Sequence, residues 1–395
     1  MTLIGQSVTV LGAGVAGLAV ARALALRGAS VTVLEQADAI REVGAGLQVS
    51  PNGAAVLRAL GLEAGLAACS TRAASVALKD GYTGDIVLQM DLAKLRPQQG
   101  YHFVHRADLI SLLAKGAREA GVEIRLLHKV TALALDGPKP GGTTAQGAFE
   151  ADLLIGADGL HSQVRTALNG NAAPFFTQQV AWRALIRCEP GAAPVAEVHM
   201  GPGRHLVSYP LRGGTLRNIV AVEERRRWVE ESWSLRDDPV ELRLAFEEFS
   251  PRVRGWLDQV QDVWLWGLFR HPVASVWQRK MPGGAIAILG DAAHPTLPFL
   301  AQGASMALED AWVLAASLAG HDGLPAGLAA YQAARRDRAT RVVQAANGNA
   351  RAYHLRGVSR GIAHAALRLG GALAPGLALR RFDWLYDHDV TEPAR

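Results

Sequence analysis

Two aspartates and a set of glycines along the chain have the types and spacing that bind a nucleotide. Three glycines occupy residues 12–17 in the pattern G-x-G-x-x-G. Asp158 precedes a glycine and Asp291 follows one, each directly after an apolar stretch. Glycine lets the backbone approach a phosphate group closely, and a carboxylate is a strong acceptor for sugar hydroxyl groups. These positions predict a site for an anionic ligand that is rich in hydroxyl groups.

The N-terminal segment SVTVLGAGVAGLAVARALALRGASVTVLEQ predicts the elements that hold the first turn. An apolar strand leads into the glycines, a helix of small and aliphatic residues follows, and a second strand ends at Glu35. The helix N-terminus favours a pyrophosphate, and the acid favours a ribose with a free 2′-hydroxyl. The alternative is an ordinary βαβ unit with a glycine-rich turn. The predicted nucleotide contacts are Gly12, Gly14, Ala16, Gly17, Glu35 and Gln36.

The segments ADLLIGADGLHSQVR and GAIAILGDAAH repeat this order of strand, glycine, acid and helix start. Ligands of open α/β sheets bind at the carboxyl ends of the strands, so we expect all three turns to converge on one extended ligand. Taken singly, Asp158 or Asp291 is better explained as a helix N-cap. Their combination with the N-terminal glycines favours a shared nucleotide site.

The order of predicted elements indicates a mixed α/β (α+β) fold. Residues 1–170 and 270–345 predict a Rossmann-like nucleotide-binding domain that is discontinuous in sequence. Residues 171–269 contain strands and turns, with a helical piece at Pro239–Phe249. They predict an inserted β-sheet domain that forms one wall of a substrate pocket. Residues 346–395 predict a C-terminal helical segment.

Composition narrows the classes of partner. The formal net charge is +5, and basic residues are spread along the chain outside EERRRW, so we expect no nucleic-acid partner. Cys69 and Cys188 are the only cysteines, which argues against disulfides and a metal site and favours the cytoplasm. The chain opens directly into a predicted strand, without a signal-peptide pattern. The apolar stretch Gly361–Leu379 is interrupted by Pro375, so we expect no stable membrane insertion.

Together, the three turns resemble the fingerprints of the flavoprotein aromatic hydroxylases, the single-component, class A FAD monooxygenases related to p-hydroxybenzoate hydroxylase. In that family a G-x-G-x-x-G turn, a DG motif and a GD motif bind FAD. They match residues 12–17, Asp158-Gly159 and Gly290-Asp291. The segment HRADL is similar to the family segment whose arginine, here Arg106, lies along FAD. The resemblance covers about residues 5–345 and implies an FAD-binding domain of the glutathione-reductase type.

The resemblance assigns the third turn to the flavin. It implies that Asp291 binds the ribityl hydroxyls and that residues 295–304 wrap the isoalloxazine ring. Backbone N–H groups at the end of that loop, with the helix Ser305–Leu318 directed at the flavin, then stabilise negative charge on the reduced ring. The other FAD contacts that the resemblance implies are Val130, Gly290, Gly303 and Ala304.

His205 and Tyr209 lie four residues apart on a predicted strand, so both face the same side. Either can be an ordinary half-buried sheet residue. The resemblance is closest to the salicylate, 3-hydroxybenzoate and 6-hydroxynicotinate hydroxylases, in which matching positions meet the substrate. It implies that both are catalytic residues and that the histidine is a base or proton relay for the substrate hydroxyl. The other substrate contacts that it implies are Gln48, Pro298 and Gln302.

The implied reaction is hydroxylation of a small aromatic substrate, either hydroxybenzoate-like or hydroxypyridine-like. In the family, NADH or NADPH reduces FAD, O2 forms a flavin C4a-hydroperoxide, and its distal oxygen passes to the ring. Alternatives on the same fold are an epoxidase, a saturase, a halogenase and a non-catalytic FAD-fold binding protein. The tryptophans of VWLWGLF match a halogenase signature only in part.

Two details depart from the family pattern. His271 stands before Pro272, where the family more often has arginine. No single arginine is marked out for a substrate carboxylate, and Arg183, Arg204 and Arg212 are all candidates. The sequence leaves open the choice between NADH and NADPH and is compatible with a homodimer.

Overall fold

The computed structural model describes residues 3–40, 45–231 and 235–392. Within these ranges the predicted nucleotide-binding strands lie in a six-stranded sheet. Their apolar side chains are buried because helices cover the parallel part of the sheet. Among the described strands of this sheet, β19 (Gln278–Met281) alone runs antiparallel to its neighbour. In the order of the sheet, the strands are β19 (Gln278–Met281), β20 (Gly284–Ile288), β12 (Leu153–Gly156), β1 (Ser7–Leu11), β2 (Ser30–Leu34) and β8 (Glu123–Arg125).

The register of this sheet brings the three predicted turns to one edge. Leu11 of β1 pairs with Gly156 of β12, and Gly156 pairs with Ile288 of β20. Because these pairings are parallel, the chain leaves all three strands on the same side, directly before the turns. The convergence expected from the sequence follows from this strand order.

Backbone geometry requires two glycines of the first turn. Gly12 has a φ of 99°, and a Cβ there would lie 2.6 Å from the carbonyl oxygen of Ala157. A Cβ on Gly17 would lie 1.9 Å from the carbonyl oxygen of Gly12. A side chain at either position would therefore push helix α1 (Val15–Ala25) away from the strands.

A second sheet of eight strands is largely antiparallel. Two of its strands, β5 (Ser75–Asp80) and β6 (Ile86–Asp91), come from inside the first segment that the sequence assigns to the nucleotide-binding domain. They join because β5 pairs in parallel with β14 (Val195–Gly201), a contact between segments far apart in sequence that local patterns do not reveal. In order, the strands are β17 (Arg236–Asp237), β18 (Val263–Arg270), β13 (Phe175–Arg187), β16 (Leu216–Glu224), β15 (Arg204–Leu211), β14 (Val195–Gly201), β5 (Ser75–Asp80) and β6 (Ile86–Asp91).

The two faces of the eight-stranded sheet have different neighbours. On one face, Trp182 and Leu206 pack against Phe246 and the helices α7 (Pro239–Ala245) and α8 (Pro251–Leu257). The opposite face contributes to a cavity together with the turns of the six-stranded sheet. This second face is the predicted wall of the substrate pocket.

Shorter elements connect and flank these layers. Three-stranded sheets are formed by β3 (Gly46–Val49), β7 (His102–His105) and β4 (Ser70–Arg72), and by β9 (Val130–Ala134), β10 (Gly141–Thr144) and β11 (Gly147–Glu150). The helices of the first half are α2 (Pro51–Ala59), α3 (Glu63–Cys69), α4 (Leu92–Leu95), α5 (Arg106–Glu119) and α6 (Gln163–Asn169). Short 3-10 turns lie at Arg212–Gly214, Gly290–Ala292 and Pro298–Leu300.

Helices of the last third of the chain cover the cavity. Leu367, Leu379 and Phe382 from this part line it. No helix in the described ranges combines the length and the apolar character that crossing a bilayer requires. The helices are α9 (Gly303–Gly320), α10 (Leu324–Tyr353), α11 (Gly357–Leu373), α12 (Leu377–Arg380) and α13 (Asp383–Tyr386).

Candidate active site

A cavity of about 650 Å³ lies between the turns of the six-stranded sheet and the eight-stranded sheet. Its size and its mainly apolar walls are typical of a site for a small organic ligand. Side chains from both sheets and from the C-terminal helices meet in it. The predicted site residues that line it are Gly14, Ala16, Gln48, Arg106, His205, Tyr209, Asp291, Pro298, Gln302, Gly303 and Ala304.

The first turn leaves open space at the start of α1. A Cβ placed on Gly14 would meet no atom of a described residue within 4 Å. Gly14 is the N-cap residue of α1, and none of the described side chains caps this helix end. The first N–H groups of α1 are therefore available to an anionic group such as a pyrophosphate.

Glu35 holds the same turn from the end of β2. Its Oε2 accepts the N–H of Ala13 at 2.7 Å, and its Oε1 accepts the N–H of Ala37 at 2.9 Å. Each carboxylate oxygen has a second acceptor direction, so these bonds leave capacity for a ribose hydroxyl. The predicted site residues outside the lining of the cavity are Gly12, Gly17, Glu35, Gln36, Val130, Asp158 and Gly290.

In the DG turn, the aspartate is used by its own helix. Asp158 Oδ1 accepts the hydroxyl of Ser162 at 2.5 Å, and Oδ2 accepts the N–H of Gln163 at 2.8 Å. Burial raises the pKa of Asp158, and these hydrogen bonds act in the opposite direction. Gly159, the next residue, lines the cavity. The carboxylate thus fixes the start of α6, and the turn itself meets the cavity.

In the GD turn, the aspartate faces the cavity. Asp291 is exposed there, and no donor of a described residue bonds its carboxylate. Burial deep below the outer surface raises the pKa of Asp291, while nearby His294 and Arg106 act in the opposite direction. An open carboxylate in this position is suited to accept hydrogen bonds from ligand hydroxyl groups.

A buried aspartate on α9 holds the backbone of the GD turn. Asp310 accepts the N–H of Gly290 at 3.0 Å, bonds His294 at 2.5 Å and bonds Arg335 at 2.7 Å. The adjacent Glu309 bonds Arg335 and Arg338. Although burial acts the other way, these cations lower the pKa of both carboxyl groups to about 2. The turn is therefore fixed without help from Asp291.

Arg165 ties the DG and GD turns together. From α6, its guanidinium donates to the carbonyl oxygens of Ala292 and Ala293 at 3.0 and 3.2 Å, and also to that of Pro272. The sequence identifies Arg165 only as part of a helix start. Arg165 follows the DG turn, and no acidic residue comes soon after it in the sequence to pair with it. An arginine in such a position is the sequence signal that could have marked it.

Strand register places the predicted catalytic residues on one face. His205 of β15 is opposite Val222 of β16, and Tyr209 is opposite Asn218. Arg183 of β13 is opposite Val220 of β16, two positions from Val222. Because side chains alternate along a strand, all of these residues face the same side, which is the cavity.

The imidazole of His205 is buried between three aromatic rings. Its centroid lies 5.6 Å from Phe299, 5.1 Å from Tyr353 and 4.9 Å from His354. Burial, with a smaller contribution from His354, lowers the pKa of His205 well below its usual value. The ring is neutral at pH 7 and can accept a proton.

Tyr209 belongs to an aromatic group at the other end of this wall. Its ring stacks on Phe103 at 5.0 Å, and burial raises its pKa. Tyr101, which no sequence motif marks as a site residue, donates its hydroxyl to Oε1 of Gln48 at 2.6 Å. Tyr101 lines the cavity and fixes Gln48 there.

The amide of Gln302 is held by residues at the start of α2. It donates to Oγ of Ser50 at 2.9 Å and accepts from Nδ2 of Asn52 at 3.1 Å. Asn52 also donates to Glu309 at 2.6 Å. Gln302 thus connects the loop that begins at Pro298 to the buried ion pairs behind it, while its surface lines the cavity.

Of the three candidate arginines, Arg183 lies in the cavity. Its guanidinium stands 4.0 Å from the ring centroid of Trp266, and burial together with Arg106 lowers its pKa to about 9. Arg204 pairs with Glu223 at 3.5 Å, and Arg212 pairs with Asp108 at 2.8 Å, both away from the cavity lining. Spacing along the sequence does not distinguish the three arginines. The register of the sheet places one of them, Arg183, in the cavity.

Comparison with known proteins identifies the family. A family model described as FAD binding domain matches residues 6–346. The 3-hydroxybenzoate 6-hydroxylase of Polaromonas naphthalenivorans is 32% identical over 395 residues, which cover 97% of this chain and 96% of that protein. The chain belongs to the flavoprotein aromatic hydroxylases. The prediction of this family and of FAD as its cofactor is confirmed.

Other relatives of this flavoprotein agree in fold and class. The 3-amino-4-hydroxybenzoate 2-monooxygenase of Streptomyces cremeus is 35% identical over 361 residues, covering 88% of each chain. The crystal structure of HpxO from Klebsiella pneumoniae, complexed with FAD and uric acid, has a TM-score of 0.81 at 24% identity and covers 94% of this chain and 96% of that one. The likeness confirms the predicted mixed α/β fold.

Proposed function

We propose that this flavoprotein hydroxylates a small aromatic acid that carries a ring hydroxyl group, with NADH or NADPH and O2 as co-substrates. The observation that carries the proposal is one cavity that joins the open Asp291 carboxylate to a wall bearing Arg183, His205 and Tyr209. The two curated relatives named above act on benzoates with a ring hydroxyl, by their names. This chemistry matches a cavity lined by arginine side chains and by a neutral base.

The residues at the turns fit FAD in an extended arrangement. We assign the pyrophosphate to the uncapped start of α1 at Gly14, and the ribityl hydroxyls to Asp291. The isoalloxazine then lies near Gly303, where α9 directs its N-terminus and its dipole favours negative charge. When bound, FAD supplies the redox chemistry with O2 and the nicotinamide. The protein binds the two rings together and keeps water away from them.

We assign the substrate carboxylate to Arg183. Two cationic side chains, Arg183 and Arg106, lie close enough in this cavity for one to lower the pKa of the other. A substrate carboxylate beside this guanidinium would form a charge-assisted hydrogen bond with it, which is the strong form of that contact in an apolar cavity. Trp266 stacks under the guanidinium and limits its movement.

We assign the substrate hydroxyl to His205. A phenolate is a better nucleophile than a phenol, so removing its proton favours attack on oxygen. His205 is neutral because its pKa is low, and its Nε2 is the ring nitrogen left for a ligand, since Nδ1 is bonded to His354. Tyr209 keeps its proton because its pKa is raised, and it serves as a hydrogen-bond donor.

A coupled-turnover screen tests this function. NADH and NADPH oxidation would be followed with hydroxybenzoates and hydroxypyridine carboxylates, together with product analysis. Arg183→Met should raise KM for the acid that is turned over by roughly 30-fold, because truncation unpairs a buried charge. The matched control Arg212→Met, which alters only a pair at the surface, should keep the wild-type KM. Turnover of uncharged phenols as efficient as that of the acids would contradict the assignment of Arg183.

A homodimer and a cytoplasmic location remain predictions from the sequence. Sedimentation analysis of the FAD-loaded protein tests the first, and fractionation of the source cells tests the second.

A further inference from the structure

A second histidine lies directly behind His205. Nδ1 of His205 and Nε2 of His354 share a hydrogen bond of 2.7 Å. His354 follows the last residue of α10, so it reaches the wall of the cavity from a different part of the chain. Both imidazoles are buried, with 2% and 4% of their surfaces exposed. The pair therefore has no direct access to bulk water.

A carboxylate connects this pair to the solvent. Nδ1 of His354 lies 3.0 Å from Oε1 of Glu224, at the end of β16. The side chain of Glu224 is 40% exposed, and its Oε2 accepts a hydrogen bond from Arg356 at 2.6 Å. An unbroken line of hydrogen bonds thus runs from the cavity through two buried rings to a half-exposed acid.

We propose that His205, His354 and Glu224 form a proton relay that carries the substrate's hydroxyl proton from the cavity to solvent. The proposal rests on the function proposed above. The proton arrives at Nε2 of His205, and the proton on Nδ1 passes to Nε2 of His354. The proton on Nδ1 of His354 then passes to Glu224 and from there to water. Each ring gains one proton and loses one. After the reaction, a proton that returns along the same path is delivered from Nε2 of His205 to the product oxygen, and this restores both tautomers.

The environment of His205 and His354 explains why neither ring retains the proton. Burial lowers the pKa of both histidines, so neither holds a proton well. The charged groups around His354 are Glu224 on β16, which favours its protonation, and Arg356 and Arg204, which oppose it. A charge is therefore favourable only at the hydrated end of the line, on Glu224. His354 and Glu224 act through His205 and are positioning residues.

A pH jump with bound 3-hydroxybenzoate tests the relay. The ionisation of the phenol would be followed by its ultraviolet absorbance in the FAD-loaded enzyme. His354→Gln, which keeps a polar side chain but cannot pass a proton, should slow ionisation and hydroxylation by about 10-fold to 100-fold. Glu224→Gln should also slow both ionisation and hydroxylation. His364→Gln is the matched control, because His364 is another buried histidine beside a carboxylate, Asp80, but lies outside the cavity lining.

A second measurement needs no substrate. Nitrogen-15 spectra of labelled histidines in the FAD-loaded protein should show His205 with its proton on Nδ1. His354→Gln and Glu224→Gln should each change the tautomer balance of His205, and His364→Gln should not.

The two experiments separate failure of the relay from failure of the proposed function. Wild-type ionisation rates and unchanged His205 spectra in both variants would overturn the relay even if hydroxylation is observed. If His354→Gln loses FAD, the half-exposed Glu224→Gln decides instead. If neither a hydroxybenzoate nor a hydroxypyridine carboxylate binds the wild-type enzyme, the proposed function fails, and the spectra still decide whether the relay exists.

Discussion

The DG and GD turns have nearly the same local sequence and opposite uses for their aspartates. Each follows a buried strand of the same sheet, and each joins glycine to aspartate before a helical turn. Both carboxylate oxygens of Asp158 accept hydrogen bonds, from Ser162 and Gln163 at the start of its own helix. Asp291 leaves its oxygens open to the cavity, because Asp310 holds the backbone of its turn. In these two turns, the aspartate carboxylate is open to a ligand only where another residue forms the hydrogen bonds that hold the turn.

Four experiments test whether the two aspartates differ in this way. The largest effect is expected from Asp310→Ala, which removes the group that holds the GD turn. The variant leaves the guanidinium of Arg335 buried with one carboxylate fewer, and breaking a buried pair costs about 3–5 kcal/mol. Urea denaturation of the FAD-free protein would measure the loss. The control Asp383→Ala, which breaks a partly exposed pair with Arg96, should cost less than about 1 kcal/mol. Equal losses would show that Asp310 has no special structural task.

Asp291→Ala should act on the ligand and not on the fold. No described donor bonds its carboxylate, so the stability of the FAD-free protein should stay close to that of the wild type. The affinity for FAD should fall by about 100-fold, since two hydrogen bonds to a charged acceptor contribute about 1.5 kcal/mol each. Titration followed by flavin fluorescence measures the affinity. A lower free energy of unfolding with unchanged affinity for FAD would show that Asp291 holds the fold and does not bind the cofactor.

Asp158→Ala should give the complementary result. Losing the two hydrogen bonds at the start of α6 should lower the free energy of unfolding by about 1–2 kcal/mol. The affinity for FAD should change less than about 5-fold, because Gly159 rather than Asp158 lines the cavity. The same denaturation and titration apply. A loss of FAD affinity as large as that of Asp291→Ala would show that both aspartates bind the cofactor.

The smallest effect is expected from pH. Burial raises the pKa of Asp291, so FAD affinity, which needs the ionised form, is present above that pKa and falls as the pH drops through it. The pKa values of Glu309 and Asp310 are lowered to about 2, so their contribution to stability is complete above about pH 4 and is lost only as the pH falls toward 2. As the pH falls through the raised pKa of Asp291, we expect FAD affinity to fall with unchanged circular dichroism. Asp291→Asn should remove this dependence.

Much of the cofactor side could be predicted because its signals are local. The spacing of residues 12–17 follows from the tight turn and the close packing of α1, which one short segment encodes. The buried strands that precede Asp158 and Asp291 are also local patterns, and their parallel order aligns the three turns. The identity of the family and of FAD follows from these segments.

The substrate side could be predicted only in part. His205 and Tyr209 share a face because strand periodicity is local. The selection of Arg183 among three arginines, the contribution of Tyr101 and the joining of β5 to β14 depend on pairing between distant segments. No property of the sequence near those residues distinguishes them from ordinary sheet positions.

Local sequence specifies the turns, the strands that lead into them and the class of cofactor, because backbone sterics and hydrogen bonding act over a few residues. Which polar groups are left open to a ligand depends on contacts between distant segments. The carboxylate of Asp158 is hydrogen-bonded to its own helix, whereas that of Asp291 is open because Asp310 holds the backbone of the GD turn. His205 is hydrogen-bonded to His354 at the end of α10. Whether a buried polar group is satisfied depends on every segment that packs around it, and that is set only when the whole chain has folded.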